Sequence, residues 1–314
     1  MQSFKKLSFS DLDGWYQDDH EKALTVFLKT QKKDARSHRL DTRNTPKKNM
    51  SAQEFFEKNF TPTLIDFPKK AFFTGYYEAE IHGSVVPDKE FRFPIYKKPQ
   101  GLRKGKKWLS RQELEESNVL KGKCLEIAYL RSPAEVFLLQ IQGSGRVTLT
   151  DGSVIRVGYD GKNGHEYVSI GQILIKRGVF SPENISSHGI KNWLMSNISI
   201  SNELLYQNPS YVFFKVISSL EEGDGPLGTA NSSLEALRSI AVDPQYIPLG
   251  SAVWVEIKGS YPLKRLMVAQ DTGSAIKGPS RVDIFFGRGD KAEKIAGKVK
   301  DYGRIAIFKE ITEV

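Results

Sequence analysis

Two aspartates, Asp271 and Asp283, bracket a glycine-containing run, Asp271-Thr272-Gly273-Ser274-Ala275-Ile276-Lys277-Gly278-Pro279-Ser280-Arg281-Val282-Asp283. Paired carboxylates are the equipment of general acid and base chemistry, and the glycines between them let the backbone turn sharply. Asp283 runs directly into Ile284-Phe285-Phe286, the start of a buried strand. A carboxylate at the edge of an apolar strand is poorly solvated, which favours its neutral form, the form a general acid needs near neutral pH. The same spacing suits two aspartates that cap turns, so the window alone leaves both readings open. A third acid, Asp243, precedes Pro244 in Ala241-Val-Asp-Pro-Gln-Tyr-Ile-Pro-Leu-Gly250, where a turn or strand end is the default. Three acids raise the question of a hard metal. Calcium, however, takes about six to eight oxygens from a dedicated loop, and the sequence has none, so neither metal nor cofactor is expected.

The elements that would position these acids are mostly strands. Arg238–Val242, Ala252–Ile257, Leu266–Gln270, Asp283–Phe286 and Arg304–Ile311 read as strands in the C-terminal part. A helix is expected over Asp290–Lys300, with Asp290 as its N-cap and Ala292, Ile295, Ala296 and Val299 on one face. N-terminally, residues 19–34 read as a helix, and Ser51 caps a second over Ala52–Lys58. From Ala71 the period changes to that of strands, through Phe72–Glu78 and Phe91–Tyr96. Ser110 caps a short helix towards Leu120. Glu126–Leu130 and Val136–Gln142 read as buried strands, and Gly143-Ser144-Gly145 turns into Arg146–Thr150. Asp151-Gly152 marks a hairpin into Val154–Val157. Helical segments follow at Ser169–Arg177, Ser181–Met195 and Asn202–Tyr206, before a strand at Phe213–Ile217. The expected class is mostly β with peripheral helices, the middle strands suggesting a barrel or tightly curved sheet.

A length of 314 residues accommodates about two domains. Hydrophobic content of 39% with 26% charged residues suits a globular chain with a real core, and no run approaches the roughly 18 apolar residues of a membrane-spanning helix. The start, Met1-Gln-Ser-Phe-Lys-Lys-Leu-Ser-Phe-Ser10, shows neither a secretory h-region nor a lipobox; a cytosolic chain or a processed form is expected. The single cysteine, Cys124, excludes an internal disulfide and reads as a buried inert thiol. His20, His38, His82, His165 and His188 lack the paired spacing of a zinc site. The net charge of +9 favours an anionic partner, although much of it sits in solvated runs such as Arg103-Lys104-Gly105-Lys106-Lys107. Without a module that interleaves basic residues with stacking aromatics, no nucleic-acid partner is expected. Gln142-Gly143-Ser144-Gly145 lacks the G-x-S-x-G order of a nucleophile elbow.

Tyr76, Tyr77, Gln140, Gln142, Tyr159, Asn163 and Tyr167 lie beside glycines or turns and outside apolar runs. Rings stack on pyranose faces and amides bond to sugar hydroxyls. Singly each is more often a strand or turn residue; together with paired carboxylates they point to carbohydrate.

Six blocks, in order, resemble the membrane-bound lytic murein transglycosylase A family. They are Phe73-Thr-Gly-Tyr-Tyr-Glu78, Gln140-Ile-Gln-Gly-Ser-Gly145, Gly158-Tyr-Asp-Gly-Lys-Asn-Gly-His-Glu-Tyr167, Ala241–Gly250, Gln270-Asp-Thr-Gly-Ser-Ala-Ile-Lys-Gly278 and Asp283-Ile-Phe-Phe-Gly287. The C-terminal blocks are similar to the 3D domain, named for three aspartates that match Asp243, Asp271 and Asp283. The resemblance implies a double-psi β-barrel from residues 1–78 and 212–314, a second β-barrel inserted over 79–211, and a glycan groove between them. It implies cleavage of the MurNAc-β-1,4-GlcNAc bond of peptidoglycan without water, leaving a 1,6-anhydro-MurNAc end. Asp283 matches the family's acid and Asp271 its neighbour. Thr74, Gly75, Tyr76, Gln140, Gln142, Gly143, Ser144, Tyr159, Asn163, Tyr167, Asp243 and Lys277 fall on matching positions expected to bind glycan. A monomer acting on glycan strands in the periplasm, with peripheral or lipid-anchored outer-membrane association not visible in this chain, is the corresponding expectation. A glycan-binding module and an inverting hydrolase on the same scaffold are the alternatives.

Overall fold

In the computed structural model, residues 4–33, 46–65, 68–103 and 105–311 are described. His38, Lys104 and Asp34, the expected end of the first helix, lie outside the described residues. The elements run β1 (Phe4–Lys6), α1 (His20–Lys33), α2 (Ala52–Asn59), β2 (Phe60–Ile65), β3 (Ala71–Gly83), β4 (Phe93–Tyr96), α3 (Arg111–Glu116), β5 (Glu126–Leu130), α4 (Pro133–Gln142), β6 (Ser144–Leu149) and β7 (Val154–Lys162). They continue with α5 (Ile170–Lys176), α6 (Ser187–Ser196), α7 (Ile198–Tyr206), β8 (Val212–Val216), β9 (Ser239–Ala241), β10 (Ala252–Ile257), β11 (Leu263–Asp271), β12 (Arg281–Arg288), α8 (Gly289–Ala296) and β13 (Lys300–Glu310). Strands dominate and helices are short, as the alternating pattern requires. The chain divides into two compact units: residues 1–76, 222–287 and 298–314, and residues 77–221 with 288–297.

The first unit is a mixed sheet in which β2, β13, β10, β11, β9 and β12 are successive neighbours. β10 pairs antiparallel with both β11 and β13, and all six of its residues are buried, as its near-continuous apolar sequence demands. The one charge on that strand, Glu256, is answered by Arg304 (Nη2 to Oε1 2.7 Å) and by the Trp254 indole N–H (2.9 Å). α1 and α2 cover one face, burying Trp15, Phe27, Phe55, Phe56 and Phe60 with Trp254 and Phe308. Ser51 caps α2 by accepting from the Glu54 N–H while the Glu54 carboxylate takes the Ser51 N–H, the reciprocal arrangement expected for that spacing. Arg238, just before β9, is buried and forms a forked pair with Asp18 (2.7 and 2.9 Å).

In the second unit the end of β3 runs parallel to β6, and β6, β7 and β8 follow antiparallel. A smaller core of Ala134, Phe137, Ile170, Leu174, Leu194, Leu204 and Leu205 joins α4 to α5, α6 and α7. Glu78 is 1% exposed and faces two arginines, Arg146 (3.1 Å) and Arg156 (3.3 Å).

Four sequence expectations are corrected here. Val136–Gln142 is helical, as part of α4, where a strand was expected. Its punctuation decides the matter: Ser132 accepts from the Glu135 N–H, Pro133 stands in the first turn, and Gly143 closes the helix at φ +77°. A short apolar run does not distinguish a buried strand from a buried helix by period. The helix expected over Asp290–Lys300 ends at Ala296, with Arg288 as N-cap and Asp290 within the first turn, and Lys300 already begins β13. The helix expected from Ser181 starts at Ser187, capped by Ser186. Cys124 is exposed, on a left-handed residue (φ +55°) of the segment between α3 and β5. Among the described residues no helix is long and apolar enough to cross a membrane.

Candidate active site

The short strand β9 sets the spacing of the two aspartates. Asp271, at the end of parallel β11, and Asp283, on antiparallel β12, both register on Ala241, from opposite sides. Two inter-strand spacings, about 10 Å, therefore separate their backbones. A bulge between Ala269 and Asp271 adjusts the end of β11, a common device beside functional sites. The acids thus stand on paired strands, which hold side chains more rigidly than a free loop would.

β3 supplies the contacts to both acids. Thr74 and Tyr76, two apart on one strand, share a face. The Thr74 hydroxyl donates to Asp283 Oδ1 at 2.5 Å, and the Tyr76 hydroxyl donates to Asp271 Oδ2 at 3.1 Å. Arg281, two residues before Asp283, donates from Nη2 to Thr74 Oγ1 (2.7 Å) and from Nη1 to the Val282 carbonyl (2.7 Å). Asp271 Oδ1 accepts from both the N–H (3.0 Å) and the hydroxyl (2.8 Å) of Thr229. The Thr229 and Thr272 hydroxyls are themselves 2.9 Å apart.

Both carboxyls keep part of their surface open, yet each is set densely enough in protein that loss of hydration dominates its titration. Asp283 is pushed up to about 6 by desolvation; the Thr74 hydrogen bond and the Arg281 charge oppose the rise, and Asp271 adds to it. Burial also raises Asp271, opposed by donors from Thr272, Thr229 and Tyr76. The Tyr76 hydroxyl is held well above its ordinary range by burial and by the two neighbouring carboxylates, so it remains a donor. The arrangement provides one carboxyl that is protonatable near neutrality beside a second that is fixed by its donors.

These couplings predict a pH dependence. Asp271→Asn removes a like charge that raises Asp283, so the alkaline limb of any activity needing protonated Asp283 moves to lower pH. Rate–pH profiles of the two proteins check this, and coincident limbs would remove the coupling.

The other candidates separate into groups. Asp243 is buried, its carboxylate accepting from the Gly278 N–H (2.8 Å) and the Gln245 N–H (3.2 Å), so it ties the segment after β9 to the loop before β12. Gly278 lies at φ +93°, which glycine adopts without strain, while Lys277 beside it is exposed. Gly75 lies between Thr74 and Tyr76 on β3.

In the second unit Gln140 is buried, accepting from Arg111 (2.5 Å) and donating to the Val212 carbonyl (3.2 Å). Asn163 is fully buried and bonded to Leu109, Pro209 and Tyr211. Both amides are thus already occupied inside the unit. Gln142, Gly143, Ser144 and Tyr159 form a more open group: Ser144 pairs with Gly158, and Tyr159 is 52% exposed. Tyr167 is half-buried, which raises its hydroxyl pKa, and Tyr77 is buried with its hydroxyl on Glu293.

Sequence reading missed Arg281 and Thr229. Arg281 carried a signal, because residues two apart on a strand share a face and Arg281 lies two before Asp283. Thr229 carried none, since its contact with Asp271 joins segments far apart in the chain. Among the described residues no group of three or more His, Cys, Asp or Glu is placed to hold a metal ion.

Residues 72–215 match the family described as the MltA specific insert domain, and residues 238–309 match the 3D domain. The chain is 34% identical over 245 residues to the membrane-bound lytic murein transglycosylase A of Vibrio cholerae, covering 74% of this chain and 64% of that protein. The chain thus spans under two-thirds of that relative's length. The crystal structure of a membrane-bound lytic murein transglycosylase from Agrobacterium tumefaciens superposes with a TM-score of 0.85 at 29% identity, covering 98% of each chain. That of Escherichia coli MltA with bound chitohexaose gives 0.79 at 29% identity, covering 94% of this chain and 90% of that one. The chain belongs to the membrane-bound lytic murein transglycosylase A family, with the MltA insert domain and the 3D domain.

Proposed function

We propose that this protein is a lytic transglycosylase that cleaves the MurNAc-β-1,4-GlcNAc bond of peptidoglycan, with Asp283 as acid and then base. The observation that carries the reading is the Asp283 carboxyl, desolvated and raised to about 6 on a rigid strand, with Thr74 as its hydrogen-bond donor. Protonated Asp283 gives its proton to the glycosidic oxygen as the C1–O bond breaks. The resulting carboxylate accepts the proton of the muramyl C6 hydroxyl while that oxygen bonds to C1. The nucleophile is part of the substrate, so no water is consumed and the 1,6-anhydro ring closes with the advantage of proximity. The relative that carries bound chitohexaose supports a glycan substrate.

An inverting hydrolase would need Asp271 as a base on water, with the carboxyls about 6.5–9.5 Å apart. Asp271 is poorly suited to that role. A carboxylate has about four lone-pair sites, and three of those of Asp271 already receive the Thr229 N–H, the Thr229 hydroxyl and the Tyr76 hydroxyl. Its role in this reading is to raise and orient its neighbour. The reading further takes the first unit as a double-psi β-barrel and the second as an inserted β-barrel that contributes Gln142 and Tyr159 to glycan contact. It also places the protein in the periplasm with peripheral or lipid-anchored attachment to the outer membrane, supported by the relatives named as membrane-bound.

Digestion of purified peptidoglycan tests the chemistry. Products lighter by one water than hydrolytic muropeptides are expected. Reducing-end products would overturn the reading in favour of a hydrolase, and glycan retention without any product in favour of a binding module.

A further inference from the structure

We propose that Arg281 is a positioning residue, which fixes the Thr74 hydroxyl as a donor to Asp283 Oδ1 and so leaves Oδ2 to carry the reacting proton. A threonine hydroxyl has one proton and two acceptor lone pairs, and its rotor settles according to its neighbours. Arg281 offers only donors, so its Nη2, 2.7 Å from Thr74 Oγ1, occupies a lone pair and excludes the hydroxyl proton from that direction. The acceptor left for that proton is Asp283 Oδ1, 2.5 Å away. Among the described residues Thr74 is the sole hydrogen-bond partner of the Asp283 side chain, so Oδ2 stays open. An oxygen already accepting a short hydrogen bond is the poorer site for the acid's own proton, which therefore resides on Oδ2.

The relay is anchored at its far end. The second guanidinium nitrogen donates to the Val282 carbonyl, and the guanidinium carbon lies 5.1 Å from the centre of the Phe72 ring. Phe72 and Thr74 share a face of β3, as Arg281 and Asp283 share a face of β12, so two strands hold the three groups in line. Threonine adds its own stiffness, because branching at Cβ restricts its rotamers. The charged and titratable groups around Asp283 are Arg281 on its own strand, Tyr76 on β3, Asp271 on β11 and, opposite Thr74 on β13, Lys300. Of these, Arg281 both favours the carboxylate and reaches it through a hydrogen bond to Thr74.

Separating charge from orientation tests this, and the inference rests on the transglycosylase reading only for its turnover measurements. In the full chain, Arg281→Gln removes both functions: kcat on peptidoglycan falls by roughly 10- to 100-fold with little change in KM, and the alkaline limb moves to higher pH. Arg281→Lys keeps the charge without the planar fork, so the limb stays near its parent position while kcat remains low. The Asp283 carboxyl carbon, followed by NMR in protein labelled at aspartate carboxyls, titrates higher in Arg281→Gln and near the parent position in Arg281→Lys, without turnover. Parent-like kcat in Arg281→Lys, or an unmoved Asp283 titration in Arg281→Gln, would overturn the proposal. Hydrolytic products from the parent protein would overturn the reaction assignment and leave the NMR comparison intact.

Discussion

Asp283→Asn is expected to lower the release of muropeptides by roughly 10²–10⁴-fold, the range that a positioned acid–base group contributes, while retention on insoluble peptidoglycan persists. The amide keeps the shape of the carboxyl and can still accept from Thr74, but it has no proton to give. The same substitution is expected to stabilise the protein at neutral and alkaline pH. The folded-state pKa of Asp283, about 6, lies above its ordinary 3.8, so the folded protein binds more protons than the unfolded chain between those values. Stability therefore falls as pH rises through that window, and the full cost of the desolvated charge is present above about 6. A rise of this size corresponds to at most about 3 kcal/mol, because Asp283 keeps part of its surface in water. Melting curves of parent and variant should separate at pH 7.5 and converge below about pH 4. Parent-like turnover in the variant would remove Asp283 from the chemistry, and equal melting temperatures at pH 7.5 would show that its charge is well solvated.

Glu78→Ala is expected to cost about 3–5 kcal/mol, the penalty for breaking a buried ion pair by removing one partner. Glu78, at the start of the second unit, is 1% exposed and faces Arg146 and Arg156, which are 7% and 8% exposed. Deleting the carboxylate removes from the interior the one charge that both guanidinium groups contact in common. Urea unfolding monitored by circular dichroism should show a lower midpoint with an unchanged slope, and Glu78→Gln should recover only a part of the loss, since it restores volume but no charge. A parent-like midpoint for Glu78→Ala would show that the arginines are compensated elsewhere.

Local patterns were legible where side chains punctuate the chain. Ser51 and Ser110 cap helices as their spacing predicts, a helix does follow Ser169, and the Asp151-Gly152 turn does join two antiparallel strands. Apolar runs located β10 and β12, and alternation located β13, because one or both faces of each must be apolar to be buried. The segment ending at Gln142 was misread because its period was ambiguous, although Ser132, Pro133 and Gly143 already marked its ends. Cys124 was misread because residue type is only an average guide to burial.

The sequence by itself determined the inventory: paired aspartates in a glycine-containing run, an aromatic strand carrying Thr74 and Tyr76, and family blocks in a recognisable order. The resemblance already matched Asp283 to the family's acid and Asp271 to its neighbour; tertiary structure alone decided what surrounds each carboxyl. Asp271 and Asp283 are equivalent as residue types. Register on opposite sides of Ala241 gives Asp271 its threonine and tyrosine donors, and gives Asp283 the single Thr74 contact braced by Arg281. The physical reason is that a carboxyl's protonation depends on its hydration and on the donors that face it. Both are set by segments such as 74–76, 229 and 281 that meet only when the sheet forms.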